Sequence, residues 1–374
     1  MRRVLFAGGG TGGHLYPALA LASAMTAEAT DVEVHFVGAR RGLESTVLPK
    51  RGVAHTLVPV EPLYRSRVWR NWRLLPSLAA SLAGIVRLFG RFRPQLVVGT
   101  GGYASAPACL YAAFRGIPLA VQEQNAHAGA TTRLLSKRAR QVHLGFPEAE
   151  RDLRPGPATR VLALGNPIRP PDPSPDRVGA RRSFGLEDCA TVLLIVGGSQ
   201  GSHAINETVI NVLRDVSTGR QSRPAGLGLL WATGPLHIDS IRNRIQALGM
   251  ASWVRASGYI DDMPRALAAS DLAISRAGAM MTAELLAWGI PAVLIPLPTA
   301  AADHQTHNAR ALDAAGAAVC MAEATLTPAL LWEEITRLVG DLSRREAMGA
   351  AARGRAKPNA ARDIARELLT LIPA

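Results

Sequence analysis

His14 is the residue of this chain best suited to moving a proton near neutral pH, and it closes a glycine run, Gly8-Gly9-Gly10-Thr11-Gly12-Gly13. A histidine held at a helix start would look the same, so the residue alone leaves both roles open. Glycines accept positive φ and let a ligand approach the backbone closely. Followed by a helix, the turn is expected to offer free N–H groups and a favourable dipole to an anion. The spacing Gly8-x-Gly10-x-x-Gly13 also fits a dinucleotide fingerprint, which calls for an acidic residue about 20 positions on. Gly38-Ala39-Arg40-Arg41 stands there instead, with no carboxylate for a ribose but arginines that could hold a 2′-phosphate.

Other polar clusters follow predicted strands, where open parallel sheets bind ligands. They are Gly99-Thr100-Gly101-Gly102-Tyr103, Gln122-Glu123-Gln124-Asn125, Gly165-Asn166-Pro167-Ile168-Arg169, Ser275-Arg276-Ala277-Gly278-Ala279 and Asp303-His304-Gln305. Arg169 is a permanent cation fit for a phosphate. Ser199, inside Gly197-Gly198-Ser199-Gln200-Gly201-Ser202, could help hold a diphosphate on a second glycine turn. Glu284 could accept hydrogen bonds from two sugar hydroxyls. No HExxH, Asp-x-Asp or His/Cys cluster argues for a metal, so diphosphate charge would fall to Arg169 and helix N-termini.

These groups need a frame, and alternating strand and helix patterns supply one of parallel α/β type. The first half predicts strands at 3–7, 32–37, 54–59, 96–99, 118–122, 141–144 and 161–163. Helices are predicted near 15–27, 42–49, 72–91, 104–115 and 130–138. A proline-rich connector runs from Arg154 to Asp176, and the theme restarts with Thr191–Val196. Further strands are predicted at 228–232, 253–256, 272–274, 292–295 and 318–321. A last helical stretch breaks at Lys357-Pro358 and restarts behind Asn359 as its cap. At 374 residues, two domains are expected.

Lys+Arg number 42 against 29 Asp+Glu, a net charge of +13 that suits an anionic partner. Seven arginines (65, 67, 70, 73, 87, 91, 93) lie between Glu61 and Arg93, interleaved with Trp69, Trp72 and a stripe at 75, 78, 82, 85 and 89. The stripe alone reads as core with a solvated opposite face. With the tryptophans, Trp69, Arg70, Trp72, Arg73 and Leu75 read as a contact with an anionic membrane. Three scattered cysteines fit core thiols in a reducing compartment. Met1-Arg2-Arg3 runs straight into a strand without a signal-peptide pattern, and no uncharged apolar run is long enough to span a bilayer. A soluble intracellular protein is expected, and no nucleic-acid motif appears.

Taken in order, Gly-Gly-Thr-Gly-Gly-His at 9–14, Gly-Gly-Tyr-Ala-Ser at 101–105, Glu-Gln-Asn at 123–125 and Gly-Asn-Pro-Ile-Arg at 165–169 form one pattern with four later stretches. Those are Gly-Gly-Ser-Gln-Gly at 197–201, Tyr-Ile-Asp-Asp-Met at 259–263, Ser-Arg-Ala-Gly-Ala-Met at 275–280 and Asp-His-Gln-Thr-His-Asn-Ala at 303–309. The set, spread over about residues 1–360, resembles the MurG family of N-acetylglucosaminyltransferases, which convert lipid I to lipid II in peptidoglycan synthesis. The resemblance implies a GT-B fold: two Rossmann-like, doubly wound parallel-sheet domains facing a central cleft. Residues 1–164 would form the acceptor and membrane side, 165–177 a linker and 178–355 the UDP-N-acetylglucosamine side. A C-terminal helix in 356–374 would pack back on the first domain.

It also implies inverting transfer to the 4-hydroxyl of the muramyl sugar, without metal or cofactor. Thr11, Gly12, Gly13 and Asn125 would lie on the donor's sugar side, and Arg169 and Ser199 at the diphosphate. Ile260 would contact the uracil. Ala279, Met280, Met281, Thr282 and Ala283 would line the nucleotide, with Glu284 on the ribose and Gln305 on the sugar. His14 would be the candidate base and Tyr103 would lie near the acceptor. Implied partners are the donor, lipid I, the anionic cytoplasmic face of the bacterial plasma membrane as a peripheral site, and other cell-wall synthesis proteins. Where the family has a histidine before Glu-Gln-Asn, this chain has Gln122. Rival readings are a UDP-sugar 2-epimerase or another GT-B transferase, an NADP-dependent oxidoreductase using Arg40 and Arg41, and a basic nucleic-acid-binding protein.

Overall fold

The computed structural model describes residues 1–61 and 74–373. The expected membrane-contact residues Trp69, Arg70, Trp72 and Arg73 lie outside them, and of Leu75 only the helical backbone is described. The chain divides into two compact units, Met1–Arg169 with Lys357–Ala374, and Pro170–Ala356.

In the first unit the elements are β1 (Arg2–Ala7), α1 (Gly12–Glu28), β2 (Val32–Ala39), α2 (Glu44–Lys50), β3 (His55–Val58), α3 (Leu74–Phe92), β4 (Leu96–Gly99), α4 (Ala106–Phe114), β5 (Leu119–Glu123), α5 (Ala130–Leu135), β6 (Gln141–Leu144) and β7 (Arg160–Leu162). The strands pair in parallel in the order β3-β2-β1-β4-β5-β6-β7. Strands covered on both faces read as unbroken apolar runs. Accordingly Val4–Ala7 and Leu96–Val98 are fully buried. One face packs on α1, the other on α3 and α4, where Phe89 meets Tyr111 edge to face at 4.9 Å. The stripe on α3 divides: Ile85 and Phe89 are core, whereas Leu78 and Leu82 are half exposed.

The second unit contains α6 (Arg177–Ser183), β8 (Thr191–Val196), α7 (His203–Ser217), β9 (Leu227–Ala232), α8 (Ile238–Ala247), β10 (Val254–Ser257), α9 (Met263–Ala269), β11 (Leu272–Ser275), α10 (Ala279–Trp288), β12 (Ala292–Leu294), α11 (His304–Ala314), β13 (Ala318–Cys320), α12 (Pro328–Gly340) and α13 (Leu342–Arg355). Its strands are again parallel, in the order β10-β9-β8-β11-β12-β13. Both units are therefore Rossmann-like and doubly wound.

The last helix, α14 (Ala360–Leu369), belongs to the first unit and buries Ile364, Ala365 and Leu368 in the same cluster as Leu15, Leu21 and Met25 of α1. Asn359 stands at its N-cap position, but contrary to expectation its side chain makes no capping bond. Residues 165–169 fall in the first unit, and Asn166 is buried there. Gly165 takes φ +91°, and a Cβ on it would lie 2.4 Å from that of Lys357.

Candidate active site

Each sheet reverses its winding beside its first strand, β1 against β4 and β8 against β11. At such a switch point the loops diverge and leave a crevice. In the first unit Ala7 pairs with Gly99, and the loop after β4 is tied to the glycine turn after β1. Thr100 N–H donates to Ala7 O at 2.9 Å, and Thr100 Oγ1 donates to His14 O at 2.8 Å. Gly101 and Gly102 adopt φ of +91° and +77°, and a Cβ on them would come 2.9 and 3.1 Å from the His14 ring. His14 Nδ1 lies 3.1 Å from Thr11 Oγ1 in a hydrogen bond. The Tyr103 ring rests on Gly10, where a Cβ would be 2.8 Å from Cε1. Thr11 and Gly13 are exposed, Gly12, His14 and Tyr103 half-buried.

Asn125 joins them through the end of β5. Buried Glu123 accepts Asn125 N–H at 3.1 Å, Asn125 Nδ2 at 3.2 Å and Gly129 N–H at 3.0 Å, fixing the loop. Gln122 points into the core, donating to Asn166 Oδ1 at 3.0 Å, while Gln124 donates to Thr100 O at 2.9 Å. The position where the family has a histidine thus belongs here to a neutral amide network that braces three loops.

One expectation is corrected. The glycine turn does not keep all its N–H groups for an incoming anion. Gly10 N–H donates to Glu44 Oε1 and Oε2 at 3.1 and 2.9 Å, and Ala39 N–H donates to Oε1 at 2.7 Å. Glu44 is fully buried, so the seat a dinucleotide phosphate would need is filled from inside. Arg41 pairs with Glu61 at 3.1 Å, which further weakens the oxidoreductase reading. In the sequence Glu44 reads as an ordinary first-turn acid, and no spacing rule links it to Gly10.

In the second unit the turn after β8 takes its shape from Gly198 and Gly201, with φ of +97° and +77°. A Cβ on Gly201 would lie 1.9 Å from Thr233 O. Ser199 is exposed on this turn. Ser202 caps α7, accepting Ile205 N–H at 3.3 Å, and also accepts Arg276 Nη2 at 2.7 Å. Buried Arg276 further donates from Nη1 to Ile295 O and Pro296 O at 3.1 and 3.0 Å and pairs with Glu323. It therefore braces the loops after β8, β11, β12 and β13, a role its sequence motif did not disclose.

Helix α10 begins behind Gly278 with no side-chain cap and no acid in its first turn, which leaves its N-terminus fit for an anion. Ala279 is buried, and Met280, Met281, Ala283 and Glu284 are half-buried. Thr282 is fully buried and turns its hydroxyl back to Gly278 O and Ala279 O, so it shapes the helix start from within. Glu284 makes no hydrogen bond or ion pair with the described residues, and burial raises its pKa to about 7. Gln305 accepts Leu297 N–H at 3.0 Å beside two residues in the left-handed region, Ala302 (φ +51°) and Asp303 (φ +53°). Ile260 is buried beyond β10, at the far edge of the sheet, and Arg169 is exposed at the end of the first unit. The first unit thus gathers Thr11, His14, Tyr103 and Asn125. The second gathers Ser199, the α10 start and Gln305, with Ile260 apart. Among the described residues no three His, Cys, Asp or Glu side chains gather as a metal-ligand set.

Residues 4–144 match the glycosyltransferase family 28 N-terminal domain and residues 192–368 its C-terminal domain. The UDP-N-acetylglucosamine–N-acetylmuramyl-(pentapeptide) pyrophosphoryl-undecaprenol N-acetylglucosamine transferase of Salinibacter ruber is 41% identical over 98% of this chain and 96% of its own. The protein of that name from Chlorobium luteolum is 42% identical over 98% of each. The crystal structure of Acinetobacter baumannii MurG superimposes with a TM-score of 0.78 at 29% identity, over 99% of this chain and 100% of that one. Sequence, family models and fold agree: the chain belongs to the MurG family of glycosyltransferases, built on the GT-B fold.

Proposed function

We propose that this chain transfers N-acetylglucosamine from UDP-N-acetylglucosamine to lipid I, the undecaprenyl-diphosphate-linked N-acetylmuramyl pentapeptide, giving lipid II for peptidoglycan synthesis. The observation that carries the mechanism is His14, held by Thr11 at the β1/β4 switch point with Tyr103 beside it. The muramyl 4-hydroxyl attacks C1 of the donor sugar from the face opposite UDP, so the configuration inverts. Its proton passes to His14 Nε2, which requires the tautomer whose Nδ1–H donates to Thr11 Oγ1. Negative charge growing on UDP meets the N–H groups around Ser199, the start of α10 and Arg169, in a reaction that calls for no metal.

Thr11, Gly12, Gly13 and Asn125 frame the sugar, and Gln305 offers it the amide NH2 that Leu297 does not use. Ile260 packs on the uracil, residues 279–283 line the nucleotide, and Glu284 accepts the ribose hydroxyls. Tyr103 receives the acceptor. A lipid-carried acceptor supports a peripheral position on the cytoplasmic membrane face. Support comes from Leu78, Leu82 and Val86 exposed on α3 and from Leu110 and Phe114 exposed on α4, a helix in contact with α3. No described helix is long and apolar enough to cross a membrane.

A radiolabel-transfer assay with a lipid I analogue tests the reading. Wild type is expected to form the disaccharide lipid, and His14→Ala to lose about 10²–10⁴-fold in turnover. Donor affinity should stay nearly unchanged. Near-normal turnover of the variant would remove His14 from the mechanism.

A further inference from the structure

We propose that Glu44 is a positioning residue for the transfer: an internal carboxylate that occupies the anion seat of the first glycine turn and fixes the peptide beside which His14 stands. The proposal rests on the reading of His14 as base. Three glycines point to it. A Cβ on Gly9 would lie 2.3 Å from Glu44 Oε1, one on Gly38 2.4 Å from Cγ, and one on Gly42 2.3 Å from Oε1. Gly38 and Gly42 do not adopt positive φ, so their backbone does not require glycine. The room taken by this side chain does.

What the carboxylate holds is the peptide between Gly9 and Gly10. Its N–H points to Glu44 at 2.9–3.1 Å. Its carbonyl faces Gly102, where a Cβ would sit 2.3 Å from Gly9 O and 3.1 Å from His14 Nδ1. One small space therefore contains Gly9 O, the Gly102 backbone and the imidazole edge. Gly9 and Gly10, at φ +150° and +88°, are free to turn this peptide over. Turned over, its carbonyl would oppose a buried carboxylate, which is why the acid locks one orientation. The lock acts through the peptide on His14 and touches no substrate.

Glu44→Gln, Glu44→Ala and Gly42→Ala are compared with wild type in the transfer assay, with UDP-N-acetylglucosamine affinity measured by calorimetry. In Glu44→Gln the charge is lost and one of the two oxygens that accept Gly10 N–H becomes an NH2 donor, so the peptide is held less firmly, and turnover is expected to fall about 10–100-fold with donor affinity within about twofold. Gly42→Ala, which displaces the acid without removing it, should fall in the same direction. Glu44→Ala leaves a cavity of carboxylate shape, and added formate should restore turnover saturably while leaving wild type and His14→Ala unmoved. A purely structural acid would lower folded yield without that rescue. Turnover of Glu44→Gln within about twofold of wild type, or a folded Glu44→Ala that formate does not revive, overturns the proposal. If Glu44→Ala does not fold, the other two variants decide. A wild-type chain inactive on lipid I and UDP-N-acetylglucosamine sinks the functional reading instead, so the two failures are told apart.

Discussion

Glu44 and Glu284, one in each unit, show how partners decide what burial does to a carboxylate. Glu44 is enclosed by N–H groups and serves as a fixed acceptor, whereas Glu284 is desolvated with no side-chain partner among the described residues and its pKa rises to about 7. An acid whose pKa is raised on folding favours the folded state when protonated. That contribution is complete below the ordinary value near 4.5 and is lost as pH climbs through about 7. In the role proposed for Glu284, the ionised carboxylate accepts the ribose hydroxyls best. Affinity for UDP-N-acetylglucosamine, whose diphosphate diester does not titrate here, should rise up to about tenfold from pH 6 to pH 8. Calorimetry at both values checks this, with Glu284→Gln expected to bind weakly and with a flat profile. An equally steep profile in the variant would assign the titration to another group.

Among the elements, β4 occupies the residues its apolar run predicts, because a strand buried on both faces announces itself in one dimension. Helix α5 stops at Leu135, short of the predicted 138, where Ser136 turns its hydroxyl to Arg133 O. Such local competition is weak in sequence and decisive in structure. The glycine turns were legible because glycine is chemically conspicuous. Glu44, Arg276 and Gln122 were not, since each acts through a partner brought near only by the sheet. Helix α14 is visible as a helix in its own residues, while its packing on the first unit is implied only by the family resemblance. Ile364 is fully buried in the α1 cluster, and Glu28 accepts from Arg366 Nε at 2.7 Å at its rim. Ile364→Ala should cost the first unit about 2–5 kcal/mol. Hydrogen exchange should quicken in β1 and α1 and stay unchanged in β8 and α7. Equal loosening of both regions would mean that α14 is not a private clasp of the first unit.

Over the whole molecule, a net charge of +13 supports the proposed contact with an anionic membrane. Charge alone gives reversible attraction that salt removes, since the Debye length shrinks to about 3 Å at 1 M. Stable peripheral binding takes a second, apolar signal. The first unit has candidates for it: Leu78 and Leu82 are 51% and 46% exposed on α3, and Phe114 at the end of α4 is 86% exposed. These are large apolar side chains that folding leaves in water, on two helices packed together. Sedimentation with phosphatidylglycerol-containing vesicles separates the two signals. Wild type should bind most at low salt and retain a residue of binding at about 0.5 M NaCl, where charges are screened. Leu78→Ser, Leu82→Ser and Phe114→Ser together should keep the low-salt binding and lose that residue, with soluble-donor affinity unaltered. If the triple variant sediments like wild type at both salt concentrations, the α3–α4 face is not the contact. If neutral vesicles bind wild type as well as anionic ones do, the positive charge serves some other partner.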